Sequence, residues 1–341
     1  MFSILRYMKY KDKIYGEFEI EEPVVLELIN SPSLQRLKDI DQAGYRPLWA
    51  KPEVEVGKYE HTRFGHSIGV YLLLRKYNAS LEEQIAGLIH DVSHSAFSHC
   101  IDYILDSGSE KEHNHQDNIF ESYLRETEIP EIIKKYGFDL DYILDEKNFP
   151  LKEKSLPDLC ADRIDYSLRT ALIFGELSEK EKDCVLDNLT VENNNWVFKN
   201  FESAKKYAQL FLKLNRVYYA GFASAVMFRT VGDCLRYALQ KGYILKDDLY
   251  TTDKIVIQNI KKFLAKDEKL KLLWERMNKK VKVSNNPNNY DVQVFCKSRI
   301  VDPLFEDGDG NLKRVSQVDP SWKEIINQEL KPKQYFLKFE K

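Results

Sequence analysis

The sequence predicts a mainly α protein with a small α+β appendage toward its C-terminal end. Three observations carry that prediction. Apolar residues recur at three- and four-residue spacing through the first two-thirds of the 341 residues. The composition changes after about residue 185, where "NLTVENNNWVFKN" reads as two short strands around an asparagine-rich turn. Further on, "YDVQVFCKSRIVDPLFEDGDGNLKRVSQV" alternates as strands do, around a turn at Gly308-Asp309-Gly310.

In order along the chain, residues 1–22 read as a hairpin, "KYKDKIYGEFEI", turning near Tyr15-Gly16. "PVVLELINSPSLQRLKDIDQAG" sets Val25, Leu28, Ile29, Leu34, Leu37 and Ile40 at helical spacing, with Gly44 as the stop. Residues 45–60 read as irregular. "GHSIGVYLLLRKY" is a helix opened by His66. Ser80 and Glu83 fit a capping box for the next helix, which runs into Leu88, Ile89 and His90. Helices are predicted at about 112–126, 130–136 and 155–172, then two long amphipathic ones at 202–219 and 222–241, and more over 251–280. "NNPNNY" is a loop. There is no internal repeat and no glycine-rich phosphate loop.

A hydrophobic content of 43% and a charged content of 31% are globular values. A net charge of -3 announces no broad basic surface for duplex nucleic acid. The five cysteines are odd in number, far apart and without a CxxC, against a disulfide framework or a zinc ribbon. The N-terminus lacks the features of a signal peptide and no run is apolar enough to span a bilayer. The expectation is a cytoplasmic protein with no membrane partner.

All seven histidines lie between His61 and His115. His90 and Asp91 are adjacent, so on a regular helix they point about 100° apart and converge only near a helix end. Val92-Ser93 and a polar run signal that end. In "DLCADRIDYSLR", Asp158, Asp162 and Asp165 fall on one helical face. His66, His90, Asp91 and Asp162 thus offer two nitrogens and two carboxylates. That mixture suits one divalent transition ion, Mn, Fe, Co, Ni or Zn, and is poor for calcium. Such an ion activates water and polarises a phosphoryl oxygen.

With these stretches in view, the sequence resembles the HD-domain phosphohydrolases, named for the adjacent His-Asp pair, and within them the deoxynucleoside triphosphate (dNTP) triphosphohydrolase branch. "LQRLKDIDQAG", "HTRFGHSIGV", "LIHDVSHSAFSH" and "ADRIDYSLR" carry the resemblance in the family's order, with weaker matches at "RVYYAG" and "VDPLF". The resemblance implies an HD-domain helical bundle as a catalytic core over 1–180. It leaves 181–341 as a helical region with short strands that completes a nucleotide pocket. It implies metal ligation by His66, His90, Asp91 and Asp162, with Mg on the substrate phosphates as an addition. His94, His99, Asp102 and His115 match active-site positions, His115 fitting better than His113 because Phe120 and Leu124 continue its apolar face. Which imidazole protonates the leaving oxygen stays open. Arg63 and Arg163 match phosphate-gripping positions, Tyr166 a phosphate or substrate contact, Gln42 a reader of the sugar 3′ hydroxyl, and Tyr218 an aromatic under the sugar.

The chain also departs from the family pattern. Gly65, Gln116, Thr170 and Ala220 stand where relatives often carry Glu, Glu, Asp and a phosphate-binding His. The sugar and outer-phosphate contacts are therefore thinner than the metal site. Hydrolysis of a dNTP to deoxynucleoside and triphosphate is the leading expectation. A different phosphoester (a nucleoside monophosphate or cyclic nucleotide), a nucleotide-gated regulatory protein and a di-iron oxygenase remain alternatives. The resemblance also implies a homo-oligomer, dimer or tetramer.

Overall fold

The computed structural model describes residues 7–45, 61–105 and 108–340. Residues 1–6 of the expected hairpin and 46–60 of the expected irregular stretch lie outside them. The hairpin pairs β1 (Met8–Asp12) with β2 (Gly16–Ile20), Asp12 opposite Gly16. Gly16 turns the chain at φ +91°, where a side chain would be strained.

The helix expected over 23–44 is broken. It becomes α1 (Pro23–Ile29), α2 (Pro32–Arg36) and a 3-10 turn, Leu37–Asp39. Pro32 holds Ser31 extended, and the Ser31 hydroxyl then caps α2 by accepting from the Leu34 N–H.

Helix α3 (Arg63–Lys76) is capped by Thr62 and α4 (Leu81–Ile89) by Ser80. The expected capping box is only half made. The buried Glu83 carboxylate turns away to accept the Leu151 and Lys152 N–H groups at 2.7 and 2.9 Å. Then come α5 (His115–Arg125), α6 (Ile129–Lys135), α7 (Leu140–Leu144), α8 (Ala161–Ile173) and α9 (Glu179–Asp187). Helix α8 begins later than the pattern predicts, so Asp158 lies outside it and pairs with Arg314 at 2.5 Å. Asp158 therefore does not share the face of Asp162 and Asp165.

The asparagine-rich turn closes β3 (Leu189–Glu192) onto β4 (Asn195–Phe198), with Asn193 and Asn194 at φ +48° and +59°. Helix α10 (Phe201–Leu214) runs into a π turn, Asn215–Tyr219, before α11 (Phe222–Gln240), α12 (Asp253–Lys261) and α13 (Glu268–Met277). The tail holds β5 (Val283–Asn285), β6 (Val292–Cys296), β7 (Leu304–Glu306), β8 (Leu312–Arg314), α14 (Val315–Val318), α15 (Pro320–Glu329) and β9 (Lys333–Phe339). Two small sheets result, ordered β3-β4-β7-β8 and β5-β9-β6. The fold is mainly α with small sheets late in the chain.

One apolar core surrounds α3 and includes Ile68, Leu72, Leu168, Phe211 and Trp322. A second surrounds α11, where Val231 and Leu235 join Phe97, Ile101 and Leu337. Both cores draw on residues before and after position 180. No helix among the described residues is long and apolar enough to cross a membrane.

Candidate metal centre and adjoining cavity

Three helix ends bring the donors together. His66 sits in the first turn of α3, His90 is the residue that ends α4, and Asp162 lies in the first turn of α8. Because α4 stops at His90, Asp91 turns into the same space. His66 Nε2 lies 2.8 Å from Asp162 Oδ1 and 3.2 Å from His90 Nε2. Asp91 approaches the two imidazoles at 3.8 and 3.4 Å. The four residues singled out for ligand chemistry thus converge, and His66, His90 and Asp162 can direct one donor atom each into a common space.

The other nitrogen of each ring is fixed. His90 Nδ1 donates to the Gly87 carbonyl at 2.7 Å, and His66 Nδ1 meets Asp165 Oδ2 at 2.7 Å. Both Nε2 lone pairs therefore point at one another, an arrangement that needs a cation or a proton between them. Burial alone would lower the His66 pKa, but hydrogen bonds to Asp162 and Asp165 lift it to about 9. Against burial, His66 and His90 hold Asp162 well below the usual carboxylate range, and Arg63 does so for Asp91. Two imidazoles and two ionised carboxylates fit a divalent transition ion.

Asp165 is itself anchored. Arg169 donates to its two oxygens at 2.8 and 3.1 Å and to Asp12 at 3.2 Å. Gly69 of α3 faces this pair, and a methyl group there would collide with both side chains. The sequence placed Asp165 on the right face without indicating that it orients His66.

A cavity of about 580 Å³ opens onto the metal nest. Gln42, Arg63, His94, His99, Arg163, Tyr166 and Tyr218 line it, as do His90, Asp91 and Asp162. Gln42 Oε1 and Tyr166 Oη are buried without a hydrogen-bond partner among the described residues. Both arginines are held internally. Arg63 donates to Asp91 (2.9 Å), Ser98 (3.0 Å) and the Gln42 carbonyl (2.9 Å). Arg163 donates to Glu153 (3.1 Å) and the Asp158 carbonyl (2.7 Å). Tyr218 stacks on Phe174 at 4.2 Å and donates to Glu176.

The histidines divide. His94 faces Asp91 at 3.2 Å, and burial with the Arg63 charge pushes its pKa down to about 4. His99 is lowered well below the ordinary imidazole range by burial and Arg63. Its Nδ1 lies 3.3 Å from Asp102 Oδ2. Asp102 is not in the cavity wall; it stands behind His99. His115 is not in the wall either. Its Nε2 meets Tyr250 at 3.0 Å and its backbone N–H donates to Asp102 Oδ1 at 2.9 Å. His113 lines the cavity instead, stacked on His99 at 5.2 Å. The cavity wall thus holds His113 and not the expected His115. His113 adopts φ +50°, a local turn that delays α5 to His115 and that helical spacing could not reveal. His61, Tyr219, Lys297 and Arg299 also line the cavity, and sequence reasoning gave them no work. For Tyr219 a signal existed, since it adjoins Tyr218 in "RVYYAG".

Residues 63–170 match the HD domain family. The chain is 34% identical over 297 residues to the uncharacterized protein YdhJ of Bacillus subtilis, covering 87% of this chain and 88% of that one. It is 39% identical over 180 residues to the metal-dependent phosphohydrolase cns2 of Cordyceps militaris, covering 52% of this chain and 49% of that one. A shorter match, 31% over 148 residues, joins it to the deoxynucleoside triphosphate triphosphohydrolase SAMHD1 of Mus musculus, covering 38% of this chain and 21% of that one. The fold matches a solved hypothetical protein from Aquifex aeolicus with a TM-score of 0.71 at 21% identity, over 98% of this chain and 96% of that one.

Proposed function

Because this chain belongs to the HD-domain family of metal-dependent phosphohydrolases, we propose that it hydrolyses dNTPs to a deoxynucleoside and triphosphate. The observation that carries this reading is one cavity with two kinds of wall. The His66, His90, Asp91 and Asp162 nest forms one end. Gln42 Oε1, Tyr166 Oη and the Phe174–Tyr218 stack offer the rest to a sugar and base. Its volume of about 580 Å³ suits a ligand of nucleotide size. The SAMHD1 similarity supports the same substrate class.

In this reading His66, His90, Asp91 and Asp162 hold one divalent transition ion. When bound, that ion supplies Lewis acidity and an activated water. The water oxygen forms a bond to the α-phosphorus while the bond from that phosphorus to the sugar 5′ oxygen breaks. His99, oriented by Asp102, protonates the departing oxygen. Burial and the Arg63 charge keep the free ring neutral, and anionic phosphates beside it favour its protonated form. Arg63 fixes Asp91 and stabilises charge developing on the phosphoryl oxygens. Gln42 reads the 3′ hydroxyl, and Tyr166 donates to phosphate.

Thr170 favours a second reading. It lines the cavity with a single hydroxyl where the resemblance expects a carboxylate on the 3′ hydroxyl. A nucleoside monophosphate or cyclic nucleotide asks less of that contact. A panel of nucleotides with Mn, read for triphosphate against orthophosphate, separates the two. A homo-oligomer, dimer or tetramer, and a cytoplasmic setting belong to the first reading; light scattering tests the assembly.

A further inference from the structure

Among the described residues, five cationic side chains line the cavity, and they are not equivalent. Three are ion-paired with a neighbour: Arg63 with Asp91 at 2.9 Å, Arg163 with Glu153 at 3.1 Å and Lys152 with Glu146 at 3.0 Å. Lys297 and Arg299 have no side-chain hydrogen bond or ion pair among the described residues. Both are partly buried. A partly buried cation without a direct ion-pair partner is unfavourable in the free protein, and an anionic ligand reduces the penalty.

Their direction follows from the chain. After β6, burial alternates: Cys296, Ser298 and Ile300 are buried, while Lys297 and Arg299 face the cavity. Asn215 locks this register. Its Nδ2 donates to Ser298 Oγ at 2.9 Å, and its Oδ1 accepts the Arg299 N–H at 2.9 Å. Asn215 also opens the π turn that carries Tyr218 and Tyr219 into the same cavity. Such turns recur at functional sites. One buried amide therefore fixes the aromatic wall and the cationic wall together.

The electrostatics agree. The Arg299 charge is felt at His99, His113, Tyr166 and Tyr219, and that of Lys297 at His99, His113 and Asp117. Burial and the Arg299 charge push the Lys297 pKa down to about 8, although Asp117 and Glu112 oppose them. Position 220, where the resemblance expects a phosphate-binding histidine, carries a buried alanine that can offer no such contact.

We propose that Lys297 and Arg299 form the anion subsite of this cavity, gripping the terminal phosphates of a polyphosphate ester whose α-phosphate lies at the metal nest. The proposal rests on the reading that the substrate is a nucleoside triphosphate, and it supplies the outer-phosphate contacts that Ala220 lacks. Neither residue belongs to the HD match, which ends at residue 170.

The test is calorimetric titration of the metal-loaded protein with inorganic tripolyphosphate and with orthophosphate. No turnover is needed, so failure of the dNTP reading in a product assay leaves this outcome distinct. The wild type is expected to prefer tripolyphosphate. The Lys297→Gln/Arg299→Gln variant is expected to bind it at least about tenfold more weakly, with metal content and melting temperature retained. Arg299→Lys, which keeps the charge, is expected to retain most of the affinity, and it serves if the double variant does not fold. Undiminished tripolyphosphate binding in the double variant, or in Arg299→Gln and Lys297→Gln singly, overturns the proposal. So does a wild type that binds no tripolyphosphate.

Discussion

His66 and His90 face one another through their Nε2 atoms at 3.2 Å, while Asp165 and the Gly87 carbonyl engage the far side of each ring. Neither ring can turn away without losing a hydrogen bond. The donors are therefore held ready for a cation, which displaces the proton that His66 otherwise retains at its raised pKa of about 9. His66→Ala and Asp162→Ala are expected to take bound metal from about one ion per chain to near zero. Hydrolysis should fall on the order of a thousandfold. Elemental analysis beside an activity assay checks both.

Asp165 acts through His66, so its removal should weaken the metal site without deleting a ligand. Asp165→Asn is expected to lower metal affinity roughly 10- to 100-fold. It also leaves Arg169 with only Asp12 as a counter-charge, at a cost of about 3 kcal/mol in stability. Gly69→Ala should act in the same direction, because its methyl group would enter the Asp165–Arg169 pair. A chelator competition titration and a denaturant melt measure the two effects. Unchanged affinity in Asp165→Asn would remove it from the orientation of His66.

These two sites show what the sequence could carry. The convergence of His66, His90, Asp91 and Asp162 was legible because short motifs at helix ends bring donors together: His90 closes α4 and Asp162 opens α8, as the end signals indicated. Local patterns failed where a long-range partner decides. Glu83 gave up its box for backbone groups at 151 and 152, and Asp158 left its helical face for Arg314. Pro32 broke a helix whose apolar spacing runs straight through it. Lys297 and Arg299 were invisible because no motif marks them; only the packing of β6 and Asn215 turns them inward.

Which of His113 and His115 serves the reaction is directly measurable. His99→Gln and His113→Gln are expected to lower kcat on the order of a hundredfold, with metal content retained. His115→Gln, whose imidazole meets Tyr250, should cost less than about tenfold. A His115→Gln variant more damaged in kcat than His113→Gln would restore the sequence-based choice.

Lys297 gives the cavity a pH signature. Its pKa of about 8 means the side chain is charged below that pH and neutral above it. Burial, Arg299 and Arg163 push the proton off, Asp117 and Glu112 hold it on, and His99 and His113 are neutral near pH 8, so they do not compete. Tripolyphosphate affinity should therefore fall as the pH rises from 7 to 9.5. In Lys297→Arg, which stays charged, the decline should flatten. Titrations at three pH values decide; parallel declines in both proteins would assign the effect elsewhere.

The central claim is the reaction itself, and product identification reaches it most directly. Each dNTP is incubated with the Mn-loaded protein, and the products are separated by ion-exchange chromatography. Deoxynucleoside and intact triphosphate are expected in equal amounts, with neither formed by a His90→Ala/Asp91→Ala variant. Release of orthophosphate or pyrophosphate in place of triphosphate, or no triphosphate from any dNTP, would contradict it.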